Sequence, residues 1–440
     1  MKVVIIGGGA TGMGVASKIK RNNNNIEVTV IENGSYVSLG ACGLPYYVGD
    51  EFKDSKKLFA RSVEKFNESG IEIHLNSSIE KIDIKNKKLI VKNKEINFDK
   101  LVIATGAEAF IPSIKGLDTI DFYKLTKYED GINLKAIVEK KEINNILIIG
   151  AGFIGMELAE NLKNINKNVS IVELDSRIAS KIYDEEVSDL IKNNLEQNQI
   201  NLFLNNSVKE FIKKDNKIIA KLMDRDIKVD LVVVASGFRP NTRLFENTEL
   251  KLSANNAIIV DDYGKTNIDY IYSGGDCCVI KNKITNNHCY SPLATVASKQ
   301  AKVIANNISN INSKFYGSIQ SSIIKLFDSG VARAGLTEKE AKDLNINIKT
   351  VFIKDKNHTH YLDGQSDIYL KLIKNVDTNE LIGAQMYSNK NSILRFYSIA
   401  TLIWNKTKLN EEIEQIDLPY SPPFSRTFDI IHIALSKIIS

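Results

Sequence analysis

The sequence predicts an α/β protein with two Rossmann-like dinucleotide-binding units, on three observations. Val3-Val4-Ile5-Ile6 is a continuous apolar run that leads into Gly7-x-Gly9-x-x-Gly12. The same arrangement returns at Asn145 to Ile149 followed by Gly150-x-Gly152-x-x-Gly155. In each copy the next strand ends in an acid, Glu32 or Glu173. Continuous apolar runs suit strands buried on both faces, as in a parallel sheet, and the order strand, glycine turn, helix, strand, acid is a dinucleotide fingerprint.

In the first unit the strand Val3 to Ile6 feeds a helix reaching about Arg21, and a second strand runs from Ile26 to Ile31. The glycines permit a tight turn and close approach of the backbone to a pyrophosphate, whose charge the helix N-terminus stabilises. Glu32 is placed to accept ribose hydroxyls. Phe98 to Gly106 reads as a further strand closing in a turn at Thr105-Gly106. The second unit has its helix at Met156 to Asn166 and its acid-bearing strand at Val169 to Val172. Glu173 would bond a free 2'-hydroxyl and repel a 2'-phosphate, which favours NADH over NADPH, with Arg177 moderating the preference. Val229 to Gly237 repeats the strand and glycine pattern of Phe98 to Gly106, so one nucleotide unit is inserted into the other. A later strand, Ile271 to Ser273, runs through Gly274-Gly275 to Asp276, which either bonds a polyol chain or caps a helix.

At 440 residues, 43% of them hydrophobic, the chain can bury two or three cores. Its net charge of +5 is spread along the sequence and gives no sign of nucleic acid binding. No apolar run approaches the roughly 20 residues of a membrane span. The first residues lack the pattern of a signal peptide, and a cytoplasmic address is the expectation.

Cys42 lies in Ser38-Leu39-Gly40-Ala41-Cys42-Gly43-Leu44-Pro45-Tyr46, far in sequence from Cys277, Cys278 and Cys289. A lone thiol beside a nucleotide unit implies redox chemistry with an outside sulfur. Only thiolate is nucleophilic, and Gly43-Leu44-Pro45 reads as the first turn of a helix whose free N–H groups would lower the Cys42 pKa. Ser38 either contacts substrate or caps that helix. Cys277, Cys278 and Cys289 are read as packing residues, His358 and His360 lack a third ligand at metal spacing, and Trp404 is expected in a core or a dimer interface.

Together these motifs resemble the pyridine nucleotide-disulfide oxidoreductases over nearly the whole chain. The resemblance implies FAD on the unit of Gly7, Gly9, Gly12 and Glu32, with Thr105, Gly106, Gly237 and Asp276 contributing. NADH, or NADPH, is assigned to Gly150, Gly152, Gly155 and Glu173. It also implies an FAD domain at 1–110 and 237–316, an NAD(P)H domain at 111–236, and an α+β dimerisation domain at 317–440 of a homodimer. The chain is similar to the single-cysteine branch. The oxidases and peroxidases of that branch carry a histidine where this chain has Ala10.

Two segments, Asn357-His358-Thr359-His360-Tyr361 and Tyr420-Ser421-Pro422-Pro423-Phe424-Ser425, resemble coenzyme A-disulfide reductases, in which such tyrosines reach the partner subunit's redox cysteine. Tyr361 and Tyr420 are therefore expected to act with Cys42. Gly14, Lys18 and Arg21 share one helix face, and with Ser38 and Lys299 they are the expected coenzyme A contacts. Phe428 stands where some relatives have a phosphate-binding lysine, with Arg426 nearby as a substitute, and Ala41 replaces a polar neighbour of the cysteine. The rhodanese-type domain of fused persulfide-reducing relatives is not recognisable, which leaves persulfide reduction open.

The expected reaction converts coenzyme A disulfide to two thiols through a Cys42-S-S-CoA mixed disulfide. The alternatives are an NADH oxidase cycling Cys42 through sulfenic acid and a reductase of coenzyme A persulfide or polysulfide.

Overall fold

The computed structural model describes residues 1–214 and 217–440. Both predicted nucleotide units form. In the first, five parallel strands run in the order Ile271–Ser273, Lys100–Ile103, Lys2–Ile6, Glu27–Ile31, Ile71–His74. In the second the order is Asn201–Phe203, Asn168–Val172, Asn145–Ile149, Leu231–Val234, Phe122–Tyr123, again all parallel. Val3, Val4, Ile5, Leu147 and Ile148 are fully buried, as strands covered on both faces require.

The two glycine turns superpose in their bonding. Gly7 N donates to Ile31 O and Gly150 N to Val172 O, both at 2.9 Å. A Cβ on Gly12 would stand 1.9 Å from Gly7 O, and one on Gly155 would stand 2.1 Å from Gly150 O, so each helix packs on its turn only because a glycine is there. The chain passes from one unit to the other and back through a two-stranded ladder, Ala107–Ala109 against Phe238–Pro240. Each unit also carries a three-stranded antiparallel sheet, one from strands within 79–97 and one from the strands Glu210–Lys214, Lys217–Lys221 and Asp226–Val229.

The C-terminal part is a five-stranded antiparallel sheet ordered Ser322–Leu326, Ser329–Gly335, Leu381–Asn389, Asp367–Asn375, Ile348–Lys356. The helices Phe396–Trp404 and Ile430–Ile439 share one hydrophobic core with it.

One close packing closes the first unit, and buried polar contacts join the second unit to the C-terminal part. The helix Ala294–Ile308 lies against the first helix, Ala10–Asn22, where a Cβ on Gly14 would come within 2.9 Å of the Ala301 Cβ. Lys371, buried in the C-terminal sheet, places its Nζ 2.6 Å from Glu186 of the second nucleotide unit and 2.7 Å from Glu338. Asp184, beside Glu186, accepts a 2.6 Å bond from the Gln385 amide. Burial alone would lower the Lys371 pKa, but the facing carboxylates of Glu186 and Glu338 hold it raised.

Candidate active site

Each nucleotide turn ends on an oriented carboxylate. Glu32 Oε2 accepts from Gly8 N at 2.6 Å and its Oε1 from Gly34 N at 2.6 Å. Glu173 Oε2 accepts from Ala151 N at 2.7 Å and its Oε1 from Asp175 N at 3.0 Å. These bonds hold the carboxylates beside the turns and leave each oxygen a further lone pair. A Cβ on Gly9 or Gly152 would meet nothing within 4 Å, and the helices that follow begin without side-chain caps. Those amides are therefore available to a phosphate group. Arg177, near Glu173, has a buried Nη1 with no partner.

Asp276 opens no helix. It sits in a turn after Gly275 (φ 79°) and before the strand Cys278–Lys281, so the helix-cap reading fails. No hydrogen bond reaches its carboxylate among the described residues, and burial raises its pKa. A carboxylate in that condition suits a ligand rich in hydroxyl groups. Thr105 and Gly106 are tied to the inter-unit crossing, with Thr105 Oγ1 donating to Asn241 O at 2.6 Å and Asn241 N donating to Gly106 O at 2.9 Å. Gly237 adopts φ 110°, and a Cβ there would also meet nothing within 4 Å.

Cys42 is an exposed free thiol in a single 3-10 turn, Ala41–Gly43, ahead of the short helix Leu44–Val48. The expected lowering of its pKa does not occur. Although the residue is exposed overall, its sulfur is partly shielded from water by the surrounding protein, and this pushes the pKa up; the Glu157 and Asp276 carboxylates add to that, and its own backbone amide only partly offsets them. The reason is geometric: Gly43 N already bonds Gly40 O, and a five-residue helix presents little dipole. Nor does Ser38 cap this helix. It adopts φ 60° and bonds through its backbone to Gly8 O, and the turn's N-cap is Gly40 without a side-chain bond.

Tyr46, four residues after Cys42, pairs with Glu157, a contact the sequence reading missed. Tyr46 follows Cys42 by one helical turn, and its Oη donates to Glu157 Oε1 at 3.1 Å. Glu157 projects from the helix Phe153–Asn164 of the other unit. The i, i+4 spacing signals Tyr46; nothing local signals a glutamate 111 positions further along.

Gly14, Lys18 and Arg21 do line one cavity, of about 340 Å³. Its opposite wall is Ser298, Ala301 and Lys302 rather than Lys299. Lys299 lines a different cavity of about 330 Å³ and points to Trp404, 5.9 Å from the ring centroid. The helix turns about 100° per residue, so positions 298 and 302 share a face that 299 leaves. Ser298 and Lys302 were legible as an i, i+4 pair.

Tyr361 and Tyr420 are 61% and 43% exposed, and the nearby Tyr361 raises the Tyr420 pKa. Arg426, the expected phosphate substitute, is instead paired with Asp355. Phe428 stacks on His432 at 5.1 Å. Cys277 and Cys278 are buried free thiols whose pKa burial raises, and Cys289 is pushed up to about 11. Trp404 is half-buried against the C-terminal core, with Lys283 Nζ 4.4 Å over its ring. Among the described residues no three His, Cys, Asp or Glu side chains converge in a metal-like cluster, and no helix is long and apolar enough to cross a membrane.

Residues 1–301 match the family model described as pyridine nucleotide-disulphide oxidoreductase, and residues 321–430 match the dimerisation domain of the same family, which supports a homodimer. The chain is 31% identical over 440 residues to a Pyrococcus abyssi protein named NAD(P)H sulfur oxidoreductase (CoA-dependent), covering 99% of this chain and 98% of that one. It is 30% identical over 441 residues to a Methanocaldococcus jannaschii protein named NADH oxidase, with coverage of 99% and 98%. Among solved structures, a NAD-dependent persulfide reductase from A. fulgidus aligns with a TM-score of 0.95 at 34% identity, over 99% of this chain and 83% of that one. With its two nucleotide units and its dimerisation sheet, the chain belongs to the pyridine nucleotide-disulphide oxidoreductases, a family dependent on FAD and NAD(P)H.

Proposed function

We propose that this protein reduces coenzyme A-bound sulfur with electrons from NAD(P)H, taking coenzyme A disulfide as acceptor and Cys42 as the sulfur that carries it. The observation that carries the reading is a lone exposed thiol with no second cysteine beside it, on the same nucleotide unit as a cationic cavity. A cysteine without a resolving partner completes a disulfide cycle only by borrowing the second sulfur from its substrate.

Residues 1–110 and 237–316 form the FAD domain in this reading, with Gly7, Gly9, Gly12, Glu32, Thr105, Gly106, Gly237 and Asp276 toward the cofactor. Residues 111–236 take NAD(P)H on Gly150, Gly152, Gly155 and Glu173. Residues 317–440 pair two subunits and present Tyr361 and Tyr420 to the partner's sulfur. Lys18 and Arg21, with Lys302, attract the phosphates of coenzyme A, and Gly14 and Ser38 border its path. With FAD bound, an electron pair would be available to open the Cys42-S-S-CoA bond, giving Cys42 thiolate and a coenzyme A thiolate that takes up a proton and leaves. Cys42 thiolate then attacks one sulfur of coenzyme A disulfide; that S–S bond breaks, one thiolate leaves and takes up a proton, and the mixed disulfide is restored. Glu173 favours NADH, since a 2'-phosphate would meet a fixed carboxylate.

A second reading, coenzyme A persulfide or polysulfide as acceptor, is favoured by the names of the A. fulgidus persulfide reductase and of a Pyrococcus horikoshii relative, NAD(P)H coenzyme A polysulfide/persulfide reductase. It uses the same thiol and cavity. NADH oxidation measured anaerobically with coenzyme A disulfide or coenzyme A persulfide, and separately in aerated buffer with oxygen as the acceptor, separates the readings. The proposal expects the disulfide rate to lead and to vanish in Cys42→Ser. A leading persulfide rate transfers the assignment to the second reading, and a leading oxygen rate refutes both.

A further inference from the structure

Tyr361 and Tyr420 stand on two segments without regular structure. One is the tip of the β-hairpin made by Ile348–Lys356 and Asp367–Asn375, and the other links the helices Glu411–Glu414 and Ile430–Ile439. No strand ladder among the described residues includes either segment, so their placement falls to turns and to side chains that bond their carbonyls. One side chain reaches both. Arg395, the residue before the helix Phe396–Trp404, donates from Nη2 to Asn357 O at 3.0 Å and to Phe424 O at 2.6 Å. Thr359 Oγ1 donates to Pro422 O at 3.1 Å, a second tie between the same segments.

Arg395 is itself fixed. Its Nη1 pairs with Asp429 Oδ2, while Asp429 Oδ1 accepts from Ile431 N at 3.0 Å as the N-cap of the last helix. The two side chains are 14% and 8% exposed, so neither has much water to turn to. Asn357 is held in turn: its Oδ1 accepts from Ser366 N at 2.8 Å and its Nδ2 donates to Ser392 Oγ at 3.2 Å. A guanidinium offers its donors in a rigid fork, which lets one side chain bond a carboxylate and two carbonyls at once; a lysine ammonium keeps the charge without that fork. Neutralising Asp429 needs only a charge, so it is the two carbonyls that call for an arginine here.

We propose that Arg395 is a positioning residue that sets Tyr361 and Tyr420 as one pair for the partner's sulfur. The inference rests on the reading under which those tyrosines serve that sulfur. Tyr361 follows Asn357 by four residues and Tyr420 precedes Phe424 by four, so a shift of either anchored carbonyl moves a tyrosine. The anchors bring together rings 59 positions apart in sequence, and Tyr361 is near enough to Tyr420 to raise its pKa. Arg395 acts through the two backbones and not on the reacting atoms.

The test separates the two half-reactions of the flavin-loaded protein by anaerobic stopped-flow absorbance: NADH mixed with the oxidised protein, and coenzyme A disulfide mixed with the reduced protein. Arg395→Ala strands a buried carboxylate and endangers the fold. The variants are therefore Arg395→Lys, which keeps a cation for Asp429, and Thr359→Val, which removes the bond between the segments. Arg395→Lys is expected to slow the coenzyme A disulfide step about tenfold and to leave flavin reduction by NADH within about twofold, with Thr359→Val acting in the same direction by a smaller factor. In a Tyr361→Phe/Tyr420→Phe background Arg395→Lys is expected to add less than about twofold, because the pair it positions is gone. Equal slowing of both steps, or no slowing in Arg395→Lys and Thr359→Val while Tyr361→Phe and Tyr420→Phe slow the disulfide step, would overturn the positioning role alone. An unchanged disulfide step in both tyrosine variants would overturn the reading on which it rests as well.

Discussion

Glu173 holds in the inserted unit the position that Glu32 holds in the first: Glu173 Oε2 takes the Ala151 amide at 2.7 Å, and Glu32 Oε2 takes the Gly8 amide at 2.6 Å. Leu174, beside Glu173, is 69% exposed, so a cation placed there would meet a 2'-phosphate in water. Glu173→Ala combined with Leu174→Arg is expected to shift the NADPH to NADH preference about tenfold toward NADPH, a change of roughly 1.4 kcal/mol. Steady-state kcat/KM with each nucleotide measures it. An unchanged ratio would remove Glu173 from cofactor choice.

The placement of Lys302 and Lys299 on different helix faces gives a paired comparison. Lys302→Ala and Lys18→Ala should each raise KM for coenzyme A disulfide severalfold with little change in kcat, and added salt should shrink the difference. Lys299→Ala should leave KM unchanged. Equal effects at 299 and 302 would contradict the cavity as the phosphate site.

Lys371 binds the second nucleotide unit to the C-terminal sheet from a side chain 2% exposed. Its removal leaves Asp184 and Glu186 without a cation and Glu338 with only the exposed Lys342. Lys371→Ala is expected to cost about 3–5 kcal/mol, seen as a lower Tm and denaturation midpoint. A loss below about 1 kcal/mol would mean that solvent reaches the cluster.

Burial raises the carboxyl of Glu157, which also makes stability depend on pH. The folded state holds this proton up to about pH 7, whereas an unfolded chain releases it near the ordinary carboxyl value. Unfolding between those values releases a proton, so this group's contribution falls as pH rises. Glu157→Gln should match the unmodified protein at pH 4 and exceed its Tm by a margin that grows up to pH 8. Parallel Tm curves would show that Glu157 titrates alike in both states.

Most of the fold was legible because its signals are local. The runs 3–6 and 146–149 are apolar for the reason that parallel strands are covered on both faces, and the glycines at 12 and 155 are demanded by a contact within their own turns. The site was legible only where one element carries it. Lys18 and Arg21 lie on one helix and were found, whereas Lys302 needed the packing of Gly14 on Ala301 to bring a second helix across from them. Glu157 meets Tyr46 through the packing of two nucleotide units, and no spacing rule encodes a contact of that kind. The Cys42 pKa was misjudged for a related reason, since what raises it, burial by packed elements and then the Glu157 and Asp276 carboxylates, comes from remote segments.

The mass of the intact, non-reduced protein after exposure to coenzyme A disulfide tests the central claim most directly. A single adduct of coenzyme A mass, mapped to Cys42 and absent from Cys42→Ser, is the expected result. An added oxygen on Cys42 with no coenzyme A adduct would contradict it.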